Sequence, residues 1–186
     1  MDLSEIVSKL LIGNSAAIIV DVGCGPGLLV RELMSSSTCR MVVGVDPSIC
    51  MLKTGARIVG CGFLVRSMGE FLPFRDSIVD LVVSRFSLPY WSNPNGVFQE
   101  IYRVLKPRGF LVVDALNASY SRLKLFLTKI FMFIRGAPRS VVEYHIDAYS
   151  KAYTMEELCD IIMGSDFNII RVDDYSWFFR VIAEKK

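Results

Sequence analysis

Three glycines at alternate positions, Gly23, Gly25 and Gly27, stand just behind an aspartate, Asp21, and a short apolar run, Ala16 to Val20. Past them, Leu28, Leu29 and Leu33 change to helical spacing. A strand that breaks into a glycine-rich turn and restarts as a helix leaves backbone N–H groups free at the helix start. That end carries partial positive charge, and without Cβ atoms a ligand can approach the backbone closely. The pattern describes a cleft for a nucleotide-type ligand. Asp46 closes a second apolar run, Met41 to Val45, 19 residues after Gly27. A carboxylate there can accept both ribose hydroxyl protons of an adenosine lying across the strand ends.

Other chemistry-bearing residues lie further along. His145 is the only histidine, in Glu143-Tyr144-His145-Ile146-Asp147. With an ordinary pKa near ~6.5 it is the natural general base, with Tyr144 beside it as the second candidate; the plain alternative is a surface-loop histidine. Tyr90 and Trp91 are either walls for an acceptor or core aromatics, and Asn117 is the third candidate on the acceptor side. Cys24 reads as a small filler inside the glycine turn. The five cysteines (Cys24, Cys39, Cys50, Cys61, Cys159) are dispersed and form no CxxC. Buried thiols in a reducing compartment are expected, without disulfides or a metal site.

The elements that must position these residues alternate strand and helix. Ser48 can cap a helix carrying Ile49, Leu52, Ala56 and Val59, and Phe63 to Val65 is a short third strand. Ile78 to Val83 is a fourth strand ending at Ser84, and Asn93-Pro94 starts a helix with Val97, Ile101, Val104 and Leu105 inward. Lys106-Pro107-Arg108-Gly109 reads as a turn into a fifth strand, Phe110 to Val113. Such alternation predicts a parallel sheet covered on both faces. Thr154-Met155-Glu156-Glu157 is a capping box opening a further helix. Phe167 to Val172 and Trp177 to Ala183 are two strands whose link is too short for a helical crossover, so the last strand runs antiparallel. The expected sheet has seven strands, mostly parallel, with its final member reversed.

The dinucleotide fingerprint needs its third glycine where this chain has Leu28, and Gly27 comes one residue early. Asp46 alone would serve a nicotinamide dinucleotide and S-adenosylmethionine equally; the glycine spacing and the reversed strand favour the latter. Taken together, Asp21 to Gly27, Gly44-Val45-Asp46-Pro47-Ser48 through Met51-Leu52, Glu70-Phe71-Leu72-Pro73-Phe74, Val79 to Ser84, and Glu100 to Pro107 resemble the successive motifs of the class I S-adenosylmethionine-dependent methyltransferases of the small type 11 kind. The resemblance covers nearly the whole chain and implies a three-layer, Rossmann-like α/β sandwich.

It also implies roles. Gly23, Gly25 and Gly27, with Cys24 among them, would let the backbone pass the methionine part of the cofactor, and Asp21 would orient its ammonium. Asp46 would take the ribose hydroxyls; Pro47 and Met51 would lie near the adenosine. Ser84, Arg85 and Phe86 would line the opposite wall. The family often has an acidic residue two places before Glu70, on the adenine amino group; this chain has Met68 there. The Gly69 N–H could still meet the ring, with Met68 packed on it and Glu70 either near the site or a solvated loop residue. The reading is direct displacement of a methyl group onto a small or lipophilic acceptor. Its rivals are a non-catalytic partner protein on the same fold and, on the glycine loop alone, an NAD-linked oxidoreductase.

At 186 residues one domain spanning 1–186 is expected, with 116–150 as a lid, substrate or interface segment. A net charge of +2 is too small for an electrostatic nucleic-acid binder. Met1 to Leu11 reads as an amphipathic helix and no apolar run reaches the ~18 residues that span a bilayer, so the expected address is cytoplasmic. Helix 121–135 is unusually apolar, with Arg122, Lys124, Lys129 and Arg135 between its apolar arcs and no acidic residue from Ala115 to Val142. An exposed face on it could serve a homodimer, a lipid-like substrate or an anionic membrane surface.

Overall fold

The computed structural model describes residues 2–36, 41–60 and 63–186; Cys39 and Cys61, expected as buried thiols, lie outside the described residues. Helix α1 (Leu3–Leu10) opens on Asp2, whose carboxylate accepts from the Leu3 N–H at 2.7 Å, and buries Leu3, Ile6 and Val7. That i, i+3, i+4 spacing gives it one apolar face. Strand β1 (Ile18–Val22) runs one residue beyond the expected stop at Asp21, because Asp21 and Val22 still pair with Gly44 and Val45 of β2 (Met41–Val45). Between them α2 (Leu28–Ser36) crosses back, and α3 (Ile49–Val59) follows β2, capped by the Ser48 hydroxyl on the Met51 N–H. Strands β3 (Leu64–Val65) and β4 (Val79–Arg85) and helix α4 (Pro94–Val104) come next. Asn93 caps α4 through the Gly96 N–H, as the Asn-Pro pair predicts.

Strand β5 (Leu105–Leu116) begins directly at the end of α4. The four residues read as a turn instead bulge within it: Leu105 pairs with Val79 and Phe110 with Leu81, and residues 106–109 loop out between. Arg108 takes φ +63° there. A Cβ on Gly109 would lie 2.8 Å from the Lys106 carbonyl oxygen, which is why the bulge closes on glycine.

After β5 the chain forms α5 (Arg122–Ile134), α6 (Arg139–Ser150) and α7 (Met155–Gly164), then β6 (Phe167–Asp174) and β7 (Phe178–Lys185). Helix α6, which carries His145, corrects the loop reading of that segment. It opens at Pro138 without a side-chain cap and buries only Val142 and Ala148 fully, so its local signal is weak. Helix α7 has the expected capping box, with the Thr154 hydroxyl accepting from the Glu157 N–H and the Glu157 carboxylate accepting from the Thr154 N–H. Thr154→Ala should lower stability by about 0.5–2 kcal/mol, measured by urea unfolding.

The sheet order is β3-β2-β1-β4-β5-β7-β6. Every neighbouring pair from β3 to β5 is parallel, and β7 runs antiparallel to both β5 and β6. This is the seven-stranded, mostly parallel sheet with a reversed last strand. Its faces carry separate cores. On one, Leu3, Ile6, Leu29, Leu33 and Leu52 of α1–α3 meet Ile19, Leu81 and Val112. On the other, Phe98, Ile101, Leu158 and Ile162 of α4 and α7 meet Val20, Val82 and Phe179. Three layers result, and α5 belongs to neither helical layer: none of its residues is buried.

Candidate functional site

In the sheet order, β1 stands between β2 and β4, so the chain leaves it first toward one edge and later toward the other. Open α/β sheets hold ligands in the crevice at that reversal, outside the carboxyl ends of the strands. A cleft of about 490 Å³ lies there, lined by the ends of β1, β2 and β4, by residues 67–70 and by Tyr144 of α6. That volume is within the range of small-molecule sites, ~300–1,000 Å³.

The glycine turn forms its floor. Gly23 takes φ +77°, and a Cβ on it would fall 2.3 Å from the Cβ of Ser87. Gly25 is different: at φ +53° it lines the cleft, and a Cβ there would meet nothing within 4 Å. Gly25 therefore opens the backbone to a ligand. Gly27 turns away from the cleft, with its Cβ position 2.8 Å from Val59, and serves the packing of α2 on α3. Cys24 is buried against Gly44, where a Cβ would lie 2.7 Å from its sulfur. Burial, then the nearby Asp21, pushes its thiol far up, so it stays protonated.

Asp46 joins the two cofactor loops. One carboxylate oxygen accepts from the Gly25 N–H at 2.9 Å and the other from the Ser48 N–H at 2.8 Å. Each oxygen keeps a second lone-pair direction for a ligand hydroxyl. Pro47 and the half-exposed Met51 and Met68 line the same end, with Gly69 and Glu70 beside them. Glu70 spends one oxygen on the Asn93 N–H at 3.1 Å, so it also holds the start of α4.

The opposite wall comes from β4. Arg85 and Phe86 line the cleft; Ser84 is buried and does not. The Ser84 hydroxyl sits 2.7 Å from that of Ser87, which donates to the Val22 carbonyl at 3.1 Å. Ser87, absent from the sequence reading, is thus the serine that reaches the cleft, its one signal being a position two residues past the end of β4. Phe86 is held at φ +58°, its N–H donating to the Asp114 carbonyl at 2.8 Å and its ring 5.3 Å from that of Trp177. Behind it, buried Asp114 pairs with buried Arg180 through Nε at 2.5 Å and a second nitrogen at 2.8 Å, while Arg85 stands at 3.5 Å. One carboxylate thus faces two guanidinium groups: Arg180 holds it closely and also feels Asp173, while Arg85, 3.5 Å away, still reaches the cleft.

Tyr90, Trp91 and Tyr144 come together at the mouth. The rings of Tyr90 and Tyr144 stack at 5.0 Å and 11°. Burial, then its hydrogen bond to Tyr144, raises the Tyr90 phenol well above its ordinary value. Trp91 leans edge-on to Phe98 at 5.4 Å, which joins it to the core as well. His145 is outside the cleft lining. It turns to Tyr149, ring centroids 5.2 Å apart, and burial lowers its pKa. Asn117 is also elsewhere: its amide donates to the Ser176 carbonyl at 3.2 Å and accepts from the Ser119 N–H at 2.9 Å, fixing the loops after β5.

Asp21 lies beneath the turn, buried and not lining the cleft. Burial, with the like charge of Asp46, pushes its carboxyl up to about 7 against the opposing pull of Arg85. The folded state therefore holds this proton over a range where the unfolded chain has lost it. Its contribution to stability is full below about 4 and is lost as pH rises toward 7. Asp21→Asn should flatten that decline, read as the urea midpoint between pH 4 and 8.

The donor set fits S-adenosylmethionine: a carboxylate at a ribose position, an open glycine backbone beside it, and apolar methionines for a purine face. Residues 20–113 match the family described as "Methyltransferase domain". A malonyl-[acyl-carrier protein] O-methyltransferase of Marinomonas sp. is 28% identical over 123 residues, 62% of this chain and 46% of that protein. A demethylmenaquinone methyltransferase of Corynebacterium kroppenstedtii is 38% identical over 96 residues, 51% of this chain and 40% of that protein. The chain thus spans less than half the length of these curated relatives. The crystal structure of a SAM-dependent methyltransferase from Aquifex aeolicus superposes with a TM-score of 0.74 at 18% identity, covering 100% of this chain and 90% of the other. Family and fold set the nicotinamide reading aside. The chain belongs to the methyltransferase-domain family, on the fold of the class I S-adenosylmethionine-dependent methyltransferases.

Proposed function

We propose that residues 1–186 work as one unit, in a reducing cytoplasmic setting, and transfer a methyl group from S-adenosylmethionine to an ionised oxygen, a carboxylate above all, on a small or lipophilic acceptor. The bound cofactor supplies a methyl group activated by its sulfonium. Asp46 orients the ribose, the Gly23–Gly25 backbone passes the methionine part, and Met51 and Met68 flank the adenine. The acceptor enters between Arg85 and the aromatic mouth of Tyr90, Trp91 and Tyr144.

The observation that carries this reading is the Arg85 guanidinium in the cleft wall, 3.5 Å from its carboxylate partner, in a cleft with no histidine in its lining. Tyr90 keeps its proton at neutral pH, so it donates a hydrogen bond and removes nothing. An acceptor that arrives ionised needs no base, and Arg85 can hold it in line. Alignment alone can supply up to ~7–11 kcal/mol of the barrier. The name of the Marinomonas relative, a malonyl-[acyl-carrier protein] O-methyltransferase, points to the same acceptor chemistry.

The test uses methyl-labelled cofactor with a malonyl thioester and with a demethylated quinone. A base-labile methyl ester should form on the thioester, and Arg85→Met should lower kcat/KM by roughly 10- to 150-fold, the worth of a charged hydrogen bond. Label appearing only on the quinone, or on neither, would contradict the proposal.

A further inference from the structure

Helix α5 is the one helix among the described residues that buries none of its side chains. Only Leu125, Thr128 and Met132 are half-buried, and they form one stripe on the helix. At roughly 100° per residue, the remaining apolar side chains gather on the other side. Phe133, Phe126, Ile130, Leu123, Ile134, Leu127 and Phe131 follow one another around an arc of roughly 160°. All are 40–75% exposed. Arg122 and Lys129 bound this arc on one edge and Lys124 and Arg135 on the other. No acidic residue occurs from Ala115 to Val142; on the Lys129 side the face borders Glu143 of α6, which is paired with Arg139 at 2.7 Å.

An exposed apolar face edged on both sides by cations has the geometry of a helix lying in the headgroup layer. The rings enter the acyl boundary while the long basic side chains extend outward to lipid phosphates. With 13 residues, α5 is about 20 Å long, short of the ~30 Å hydrocarbon core, so it lies along the surface. No helix among the described residues is long and apolar enough to cross a membrane. A second copy fits worse. A two-fold interface sets the same patch against itself, and here it would bring the two cationic margins together.

We infer that α5 docks this chain on an anionic lipid surface, with its apolar arc in the acyl boundary and its basic margins on the phosphates. Helix α6 packs on α5 and carries Tyr144 to the mouth of the cleft, so a docked chain holds that mouth near the lipid. The inference stands apart from the identity of the acceptor.

Flotation of the whole chain with vesicles tests it. Equal parts of phosphatidylglycerol and phosphatidylcholine should retain at least tenfold more protein than phosphatidylcholine alone, and high salt should reduce the difference. The double substitution Leu127→Glu with Phe131→Glu, at exposed positions away from the cleft, should lower retention at least tenfold while S-adenosylmethionine affinity stays unchanged. No retention on the anionic vesicles would overturn the inference, and so would retention that ignores the substitutions. A dimer by light scattering that the same substitutions split into monomers would assign α5 to a second copy instead.

Discussion

Replacing Asp46 by alanine is expected to weaken S-adenosylmethionine binding by about 1.5–3 kcal/mol, roughly 10- to 150-fold. The carboxylate carries two tasks. It accepts from the Gly25 and Ser48 N–H groups, which sets the glycine turn against the start of α3. Each oxygen keeps an unused lone pair, and Asp46 is part of the cleft lining, where ribose hydroxyls would donate. Asp46→Asn separates the tasks, because an amide keeps one acceptor oxygen and loses the charge. The asparagine variant should fall between wild type and alanine in titration calorimetry. Equal affinities for all three proteins would mean that the ribose lies elsewhere.

The largest effect on stability is expected from Asp114→Ala, a loss of about 3–5 kcal/mol in urea unfolding. Asp114 is fully buried and Arg180 is 3% exposed, so removing the carboxylate takes from a buried guanidinium, between β5 and β7, the anion that two of its nitrogens meet. The pair itself need not be strongly stabilising, since two apolar residues can fill the same space without the desolvation penalty. Arg180→Met added to Asp114→Ala should therefore recover much of the loss. The single substitution should also disturb the cleft, because the Asp114 side chain holds Arg85 while its carbonyl holds Phe86. A loss below about 1 kcal/mol would show that Arg180 finds water or another partner.

Much of this fold is written in short-range pattern. Apolar runs closed by Asp21 and Asp46, the Asn93-Pro94 start and the Thr154 capping box each occupy a few adjacent residues, and each produces the expected element. The same holds for Gly25 and Asp46, whose loops lie at the ends of neighbouring strands. Features that depend on distant partners were hidden. Ser84 ends its strand as a wall residue would, but Ser87 folds back onto it and onto Val22 and takes its place in the cleft. The Asn117 amide is taken by Ser176, 59 residues away. Helix α6 has no capping side chain and only a weak apolar stripe, so local sequence signals neither the helix that carries His145 nor its contact with Tyr149. The bulge in β5 follows from pairing with β4, which local sequence does not display.

The cleft beside Gly25 and Asp46 is where S-adenosylmethionine is proposed to bind. Titration calorimetry of the chain with S-adenosylmethionine, and in parallel with NAD, decides between the two nucleotides. Saturable binding of one S-adenosylmethionine per chain, with no heat from NAD, is the predicted result. A folded chain that binds NAD, or that takes up no S-adenosylmethionine, would contradict it.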